Sequence, residues 1–251
     1  MKNTVKVQEV KPSSSSRRNF LKISGLTMVG TGLLLAGCND TDGDDSSSNQ
    51  YPGIRNGKFD LGGGDLGVLT YAYALEQLEA DFYTKVVNTA NFNTIFPEQD
   101  RAVLVDLYNH EVIHREFFKA AITGALEAAG QDVTAHLLPG LAFEYTTVDF
   151  NNRLSVLNTA QALEDTGVAA YNGAGKLITS ADYLLIAGKI VSVEARHASA
   201  IRSLINPNSK YFAGDDIVSN STGLDVAKSP AQILPVAGGF ITTEFTANYL
   251  T

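Results

Sequence analysis

Residues 110–114 read HEVIH. His110 and His114 fall one helical turn apart, a spacing that can hold a zinc ion while the intervening Glu111 activates a water. Glu111 and His114 also form a smaller unit, Glu-x-x-His. At i and i+3 their side chains lie side by side on a helix and can reach one metal ion or two adjacent ones. Glu194-Ala195-Arg196-His197 repeats that unit. Two further glutamates share a second pattern. ALEQLEADFY at 74–83 and ALEDTGVAAY at 162–171 both begin Ala-Leu-Glu and place a tyrosine seven residues after the glutamate. Glu76 with Tyr83 thus matches Glu164 with Tyr171. The core reads as a duplication: a helix with Glu-x6-Tyr, then a helix with Glu-x-x-His, twice. Four carboxylates and two imidazoles suit Fe(II) or Mn(II) better than metals that prefer thiolates.

The elements that must position these residues are four apolar-periodic segments, each too long for a strand. The first is expected over about Leu66 to Val87. The second starts at Pro97-Glu98 and runs to about Ala129, where Gly130 stops it. The third begins at Asn151-Asn152, good N-cap residues, and runs to about Gly175. The fourth follows Ser180 and ends at Asn206-Pro207. On the second helix Leu104, Leu107, Glu111, His114, Phe118, Ile122 and Ala125 share one face; on the fourth Ile190, Glu194, His197, Ile201 and Leu204 do. Glutamates on a buried stripe cost several kcal/mol unless something compensates their charge, and a metal ion does so. The first and third connections are short, so each helix pair is an antiparallel hairpin. The second, about residues 130–150, is long enough to cross from one end of a bundle to the other. The fold class is therefore all-α: a four-helix bundle over 66–205 with one long crossover between helices 2 and 3. The extension at 206–251 is expected to be irregular and packed on the bundle.

The order of these motifs resembles the ferritin-like di-iron carboxylate superfamily, which includes bacterioferritin, rubrerythrin and ribonucleotide reductase small subunits. The resemblance spans about residues 66–205. It implies six metal ligands, Glu76, Glu111, His114, Glu164, Glu194 and His197, with two of the four glutamates bridging the metals. It also implies hydrogen bonds from Tyr83 and Tyr171 to ligating carboxylates; on their own these tyrosines read as core aromatics. Two iron ions are the implied cofactor, with two manganese ions as the alternative. The expected partners are the metal ions and O2 or peroxide, and the expected chemistry is metal-ion oxidation or peroxide reduction in stress protection. A dimanganese catalase-like enzyme and a non-catalytic scaffold remain open, and a homodimer is a compatible assembly. The lipid signal and the long tail look more like desiccation-related ferritin-like proteins than like bacterioferritin.

Several neighbours compete with these assignments. Glu79, one turn after Glu76, is an alternative ligand. Asp165 reads as a solvated group or a partner of a ligand, His110 as a surface residue or a partner of a ligand, and His136 as structural. Arg196, between Glu194 and His197, reads as solvated or paired with an acid. The zinc-protease reading of HEVIH needs a third ligand, and the REFFKAAITG that follows has no histidine. It also leaves Glu194-x-x-His197 and the Ala-Leu-Glu repeat without a role.

The remaining signals concern location. Residues 16–22 read SRRNFLK, a twin-arginine signal, followed by the apolar run ISGLTMVGTGLLLAG and then Cys38. That run has 15 residues and four glycines, short and weakly apolar for a membrane span. Residues 1–37 are thus expected to be a cleaved signal peptide with Cys38 lipidated, and 38–65 a flexible acidic tether. The protein is expected to be a cell-envelope lipoprotein facing the periplasm. The whole chain carries 19 Lys+Arg and 27 Asp+Glu; removing 1–37 takes six of the first and one of the second, leaving a net charge of −13. Such an acidic surface argues against a nucleic-acid partner and concentrates cations. With one cysteine, no intrachain disulfide can form.

Overall fold

The computed structural model describes residues 50–251. The expected twin-arginine signal, Cys38 and the first part of the expected tether lie outside that range. Four long helices dominate: α1 (Gly64–Val87), α2 (Glu98–Ala128), α3 (Arg153–Ala174) and α4 (Ala181–Ile205). Their ends follow local chemistry. The Asn152 side chain accepts from the backbone N–H groups of Leu154 and Ser155, and the Ser180 side chain from that of Tyr183. Gly130, at φ 68°, takes the left-handed conformation that stops α2. Among the described residues, no helix is long and apolar enough to cross a membrane.

α1 packs on α2 and α3 on α4, while α1 also meets α3 and α2 meets α4. The long link between α2 and α3 includes one helical turn, Val133–His136. It also buries Leu138 and Tyr145, and the Tyr145 hydroxyl donates to the backbone oxygen of Leu78. α2 and α4 each bury a single stripe, carrying Glu111 and His114 on one and Glu194 and His197 on the other. At its far end the α2 stripe closes on Leu126, not on the expected Ala125. α1 is different: 17 of its 24 residues are buried. Such a helix is covered on nearly every side.

Part of that cover comes from a segment expected to be flexible. Residues 50–65 are not a loose tether. Gly53–Arg55 (β1) and Lys58–Asp60 (β2) form an antiparallel hairpin, turned by Asn56 and Gly57 at φ 51° and 79°. Positive φ at both turn residues is the Asn-Gly signature of a tight hairpin. β2 also pairs in parallel with Phe245–Thr246 (β3), so the C-terminal extension ties down the N-terminal hairpin. Buried Asp60 holds this junction, accepting from Gly62 N, Thr246 Oγ1 and Asn248 N.

The extension also grips the bundle. Its short helix α5 (Pro230–Ala237) packs on α3. Lys228 N–H donates to Ala169 O, and the Lys228 carbonyl passes so close to Gly173 that a Cβ there would lie 1.8 Å from it. Arg202 on α4 is fully buried. It donates to Asp165 on α3 at 2.7 Å and to Asp216 of the extension at 2.6 Å, and it lies over the Tyr211 ring. Asp165 is therefore an ion-pair partner, not a solvated residue. Arg202→Ala leaves Asp165 half-buried without its cation and is expected to destabilise the fold by about 3 kcal/mol. A lowered denaturation midpoint in urea would register it, with the metal content of folded protein unchanged.

Candidate metal centre

The bundle gathers its motif residues at one level. Glu76 on α1, Glu111 and His114 on α2, Glu164 on α3, and Glu194 and His197 on α4 are all buried. They form two overlapping clusters. Glu76, Glu111, His114 and Glu194 offer donor atoms all within 4.8 Å of one another, and so do Glu111, Glu164, Glu194 and His197. Glu111 and Glu194 belong to both.

The two halves mirror each other. His114 Nδ1 lies 2.8 Å from Glu194 and 3.4 Å from Glu111. His197 Nδ1 lies 2.8 Å from Glu111 and 3.5 Å from Glu194. The tyrosines cross between the halves. Tyr83 on α1 donates to Glu164 on α3 at 2.5 Å, and Tyr171 on α3 donates to Glu76 on α1. Each hydroxyl fixes one oxygen of an outer glutamate and leaves the other oxygen free to face the cluster.

These close contacts are not aligned as hydrogen bonds. Glu76 Oε2, Glu164 Oε2, both oxygens of Glu111 and of Glu194, and Nδ1 of both histidines are buried without a hydrogen-bond partner. One such atom costs about 1–3 kcal/mol. Eight converging on two overlapping clusters fit a pair of cations, which supply what these lone pairs lack. The proton affinities carry the same message. Burial alone would lower the pKa of His114 and His197, yet the surrounding glutamates push both far above the ordinary imidazole value. Burial raises Glu111, and Glu194 adds to the rise. The cluster's carboxylates thus favour positive charge at its centre.

Of its two expected roles, His110 takes the one beside a candidate ligand. Its Nδ1 sits 2.9 Å from His197 Nε2, and the two rings stack at 5.2 Å and 10°. Burial and the neighbouring His197 lower its pKa, and where His197 carries its proton on Nε2 the His110 Nδ1 accepts it. That bond directs His197 Nδ1 toward the carboxylates. The zinc reading of HEVIH needs His110 and His114 on one ion, but His110 belongs to neither cluster. His110→Ala is expected to weaken metal binding at the His197 half by ~10–100-fold, while His114's half keeps its affinity. Stepwise metal titration reads this as one weakened site out of two. The sequence signal was the position of His110 one turn before His114 on α2, but its partner lies on another helix, 87 residues away.

A family model described as Ferritin-like domain matches residues 64–207. The chain belongs to the ferritin-like domain family. The match takes in all four bundle helices, so the ferritin-like region and the six clustered residues coincide. Among curated proteins, none matches the chain. The β-hairpin and the C-terminal extension beyond residue 207 fall outside the ferritin-like match.

Proposed function

We propose that this ferritin-like protein binds a dinuclear metal centre, iron by preference, and oxidises metal ions or reduces peroxide there. The observation that carries the reading is the set of eight buried, unpartnered donor atoms in two clusters sharing Glu111 and Glu194. Glu76, Glu111, His114 and Glu194 would hold one ion, and Glu111, Glu164, Glu194 and His197 the other. Oxygen and imidazole donors favour Fe(II) or Mn(II) over thiolate-seeking metals. Bound there, such ions supply reversible one-electron oxidation and a Lewis-acidic site for O2 or peroxide.

The protein's part is positioning. Glu111 and Glu194, which belong to both clusters, would hold both ions. The four carboxylates balance the charge of two divalent ions. Tyr83 and Tyr171 anchor the outer glutamates and keep phenolic protons against them, and buried side chains above and below, such as Leu107, Phe118 and Ile201, exclude bulk water. The twin-arginine signal and Cys38 support the companion reading of a lipid-anchored protein of the cell envelope. Folded export suits a protein loaded with metal before it crosses the membrane.

Elemental analysis of natively exported protein, paired with an assay of peroxide-dependent metal oxidation, tests the reading. Two iron ions per chain with oxidation support it. Two manganese ions with dioxygen release from peroxide would turn it to the catalase-like alternative. A chain that stays metal-free after anaerobic reconstitution with Fe(II) or Mn(II) leaves the scaffold.

A further inference from the structure

The two ends of the duplicated core are not equally filled. Extending the match of ALEQLEADFY with ALEDTGVAAY sets Phe82 against Ala170, Val86 against Ala174 and Val87 against Gly175. Beside Tyr83, which bonds to Glu164, Phe82 and Val86 are fully buried and fill the core. Beside Tyr171, which bonds to Glu76, the counterparts are far smaller, and a pocket takes the place of the missing side chains. Ala170, Ala174 and Gly175 line it together with Leu75 and Phe118, and it reaches the half-buried Ile178 and Tyr183. Leu75 adjoins Glu76 in the chain, and Phe118 follows His114 by one turn. The Tyr171 ring packs on Phe118. The pocket therefore lies against the Glu76–His114 half of the centre.

Its whole empty space, open mouth included, is about 430 Å³, but the walls leave room for little more than one water-sized molecule. Almost no polar surface faces that space. A water seated there falls short of the two to four polar partners it needs. Hydrogen peroxide, with two O–H groups and two acceptor oxygens, falls further short. Dioxygen makes no such demand. It is uncharged, apolar and close to water in size, and dispersion contacts with the walls suffice to hold it. One donor is at hand as well: Tyr71 lines the pocket, and its buried hydroxyl has no hydrogen-bond partner.

We infer that this pocket is a binding site for dioxygen, concentrating O2 beside the Glu76–His114 half and making O2, not peroxide, the oxidant that approaches from this side. Delivery to the ions rests on the dinuclear reading above; uptake of O2 by the pocket does not.

Methyl NMR of the full, metal-free chain under O2 pressure tests the site with dioxygen itself, because paramagnetic O2 speeds the relaxation of the methyl groups it touches. The methyls of Ala170, Ala174 and Leu75 are expected to relax several-fold faster under O2 than buried methyls at the filled end, such as those of Val86. Ala170→Phe and Ala174→Val each copy the filled end and are expected to abolish that difference. Equal relaxation at the two ends of wild type, or an enhancement that neither substitution moves, overturns the site. Should Ala170→Phe fail to fold, Ala174→Val, which adds only two methyl groups, and the wild-type comparison decide. Delivery is read on Fe(II)-loaded chain. Ala174→Val is expected to slow oxidation by O2 several-fold and to leave oxidation by peroxide at the wild-type rate. Equal slowing with both oxidants, or with neither, overturns delivery. If wild type binds no iron, the dinuclear reading falls, while enhanced methyl relaxation still upholds the O2 site.

Discussion

Glu111→Ala is expected to abolish binding of both metal ions, and Glu194→Ala to do the same. Each residue contributes to both clusters, so one substitution removes a donor from two sites at once. Each also leaves a histidine without its nearest carboxylate: His197 Nδ1 is 2.8 Å from Glu111, and His114 Nδ1 is 2.8 Å from Glu194. The loss should exceed the ~10–100-fold expected for a residue that only orients a ligand, such as His110. Glu76→Ala and Glu164→Ala serve as controls, because each outer glutamate belongs to one cluster. Those variants are expected to retain one ion per chain. Metal-to-protein ratios after equilibrium dialysis separate the two classes. Equal losses from all four substitutions would contradict the shared-bridge arrangement.

The second large effect is on stability. Metal-free protein is expected to lose stability as pH rises from about 5 to 8, and metal-loaded protein to escape that loss. Glu164 is raised to about 7, chiefly by burial and against the opposing pull of His197. Because its folded pKa exceeds its ordinary 4.5, its contribution is full below pH 4.5 and is lost as pH rises through about 7. His114 and His197 act with the same sign. Their pKa values stand far above the ordinary 6.5, so their contribution is full below 6.5 and is lost as pH climbs toward the folded values. Glu194 has the opposite sign. Burial would raise it, but His114 and His197 hold it down to about 2, so its contribution is present above 4.5 and is lost as pH falls through about 2. Above pH 5 the declining terms therefore prevail.

Metal ions bound at the cluster would displace protons, so their affinity is expected to rise over the same pH range. At a free concentration a hundredfold above Kd, each site adds about 2.7 kcal/mol, or about 5 kcal/mol for two independent sites. Thermal unfolding followed by circular dichroism, with chelator and with Mn(II) across a pH series, measures both effects. Parallel curves with and without metal would show that the cluster does not couple to a cation.

Much of the architecture is legible from local pattern. A helix that buries one stripe must repeat its apolar residues every three or four positions, so Leu104 to Ile122 and Ile190 to Leu204 mark their inward faces unaided. Any polar residue on such a stripe also declares itself, which is how Glu111, His114, Glu194 and His197 stand out. Caps are equally local: Asn152 and Ser180 bond to backbone groups two or three residues away. α1 was harder to read. It is buried on most sides, so both Glu76 and Glu79 lie inside, and periodicity could not choose between them.

The sequence by itself determined the four helices, the long crossover, the inward faces of α2 and α4, and the donor types available to them. Those properties depend on the chemistry of residues within a turn or two of one another. Tertiary structure alone decided what depends on the register between helices. It crossed Tyr83 to Glu164 and Tyr171 to Glu76, set His110 behind His197, made Glu111 and Glu194 the shared pair, and fitted Glu79 to Gly167. It also turned residues 53–60 from an expected tether into a hairpin, because β2 finds its second neighbour in Phe245–Thr246, more than 180 residues along the chain. Local pattern says which face turns inward; only packing says what that face will meet.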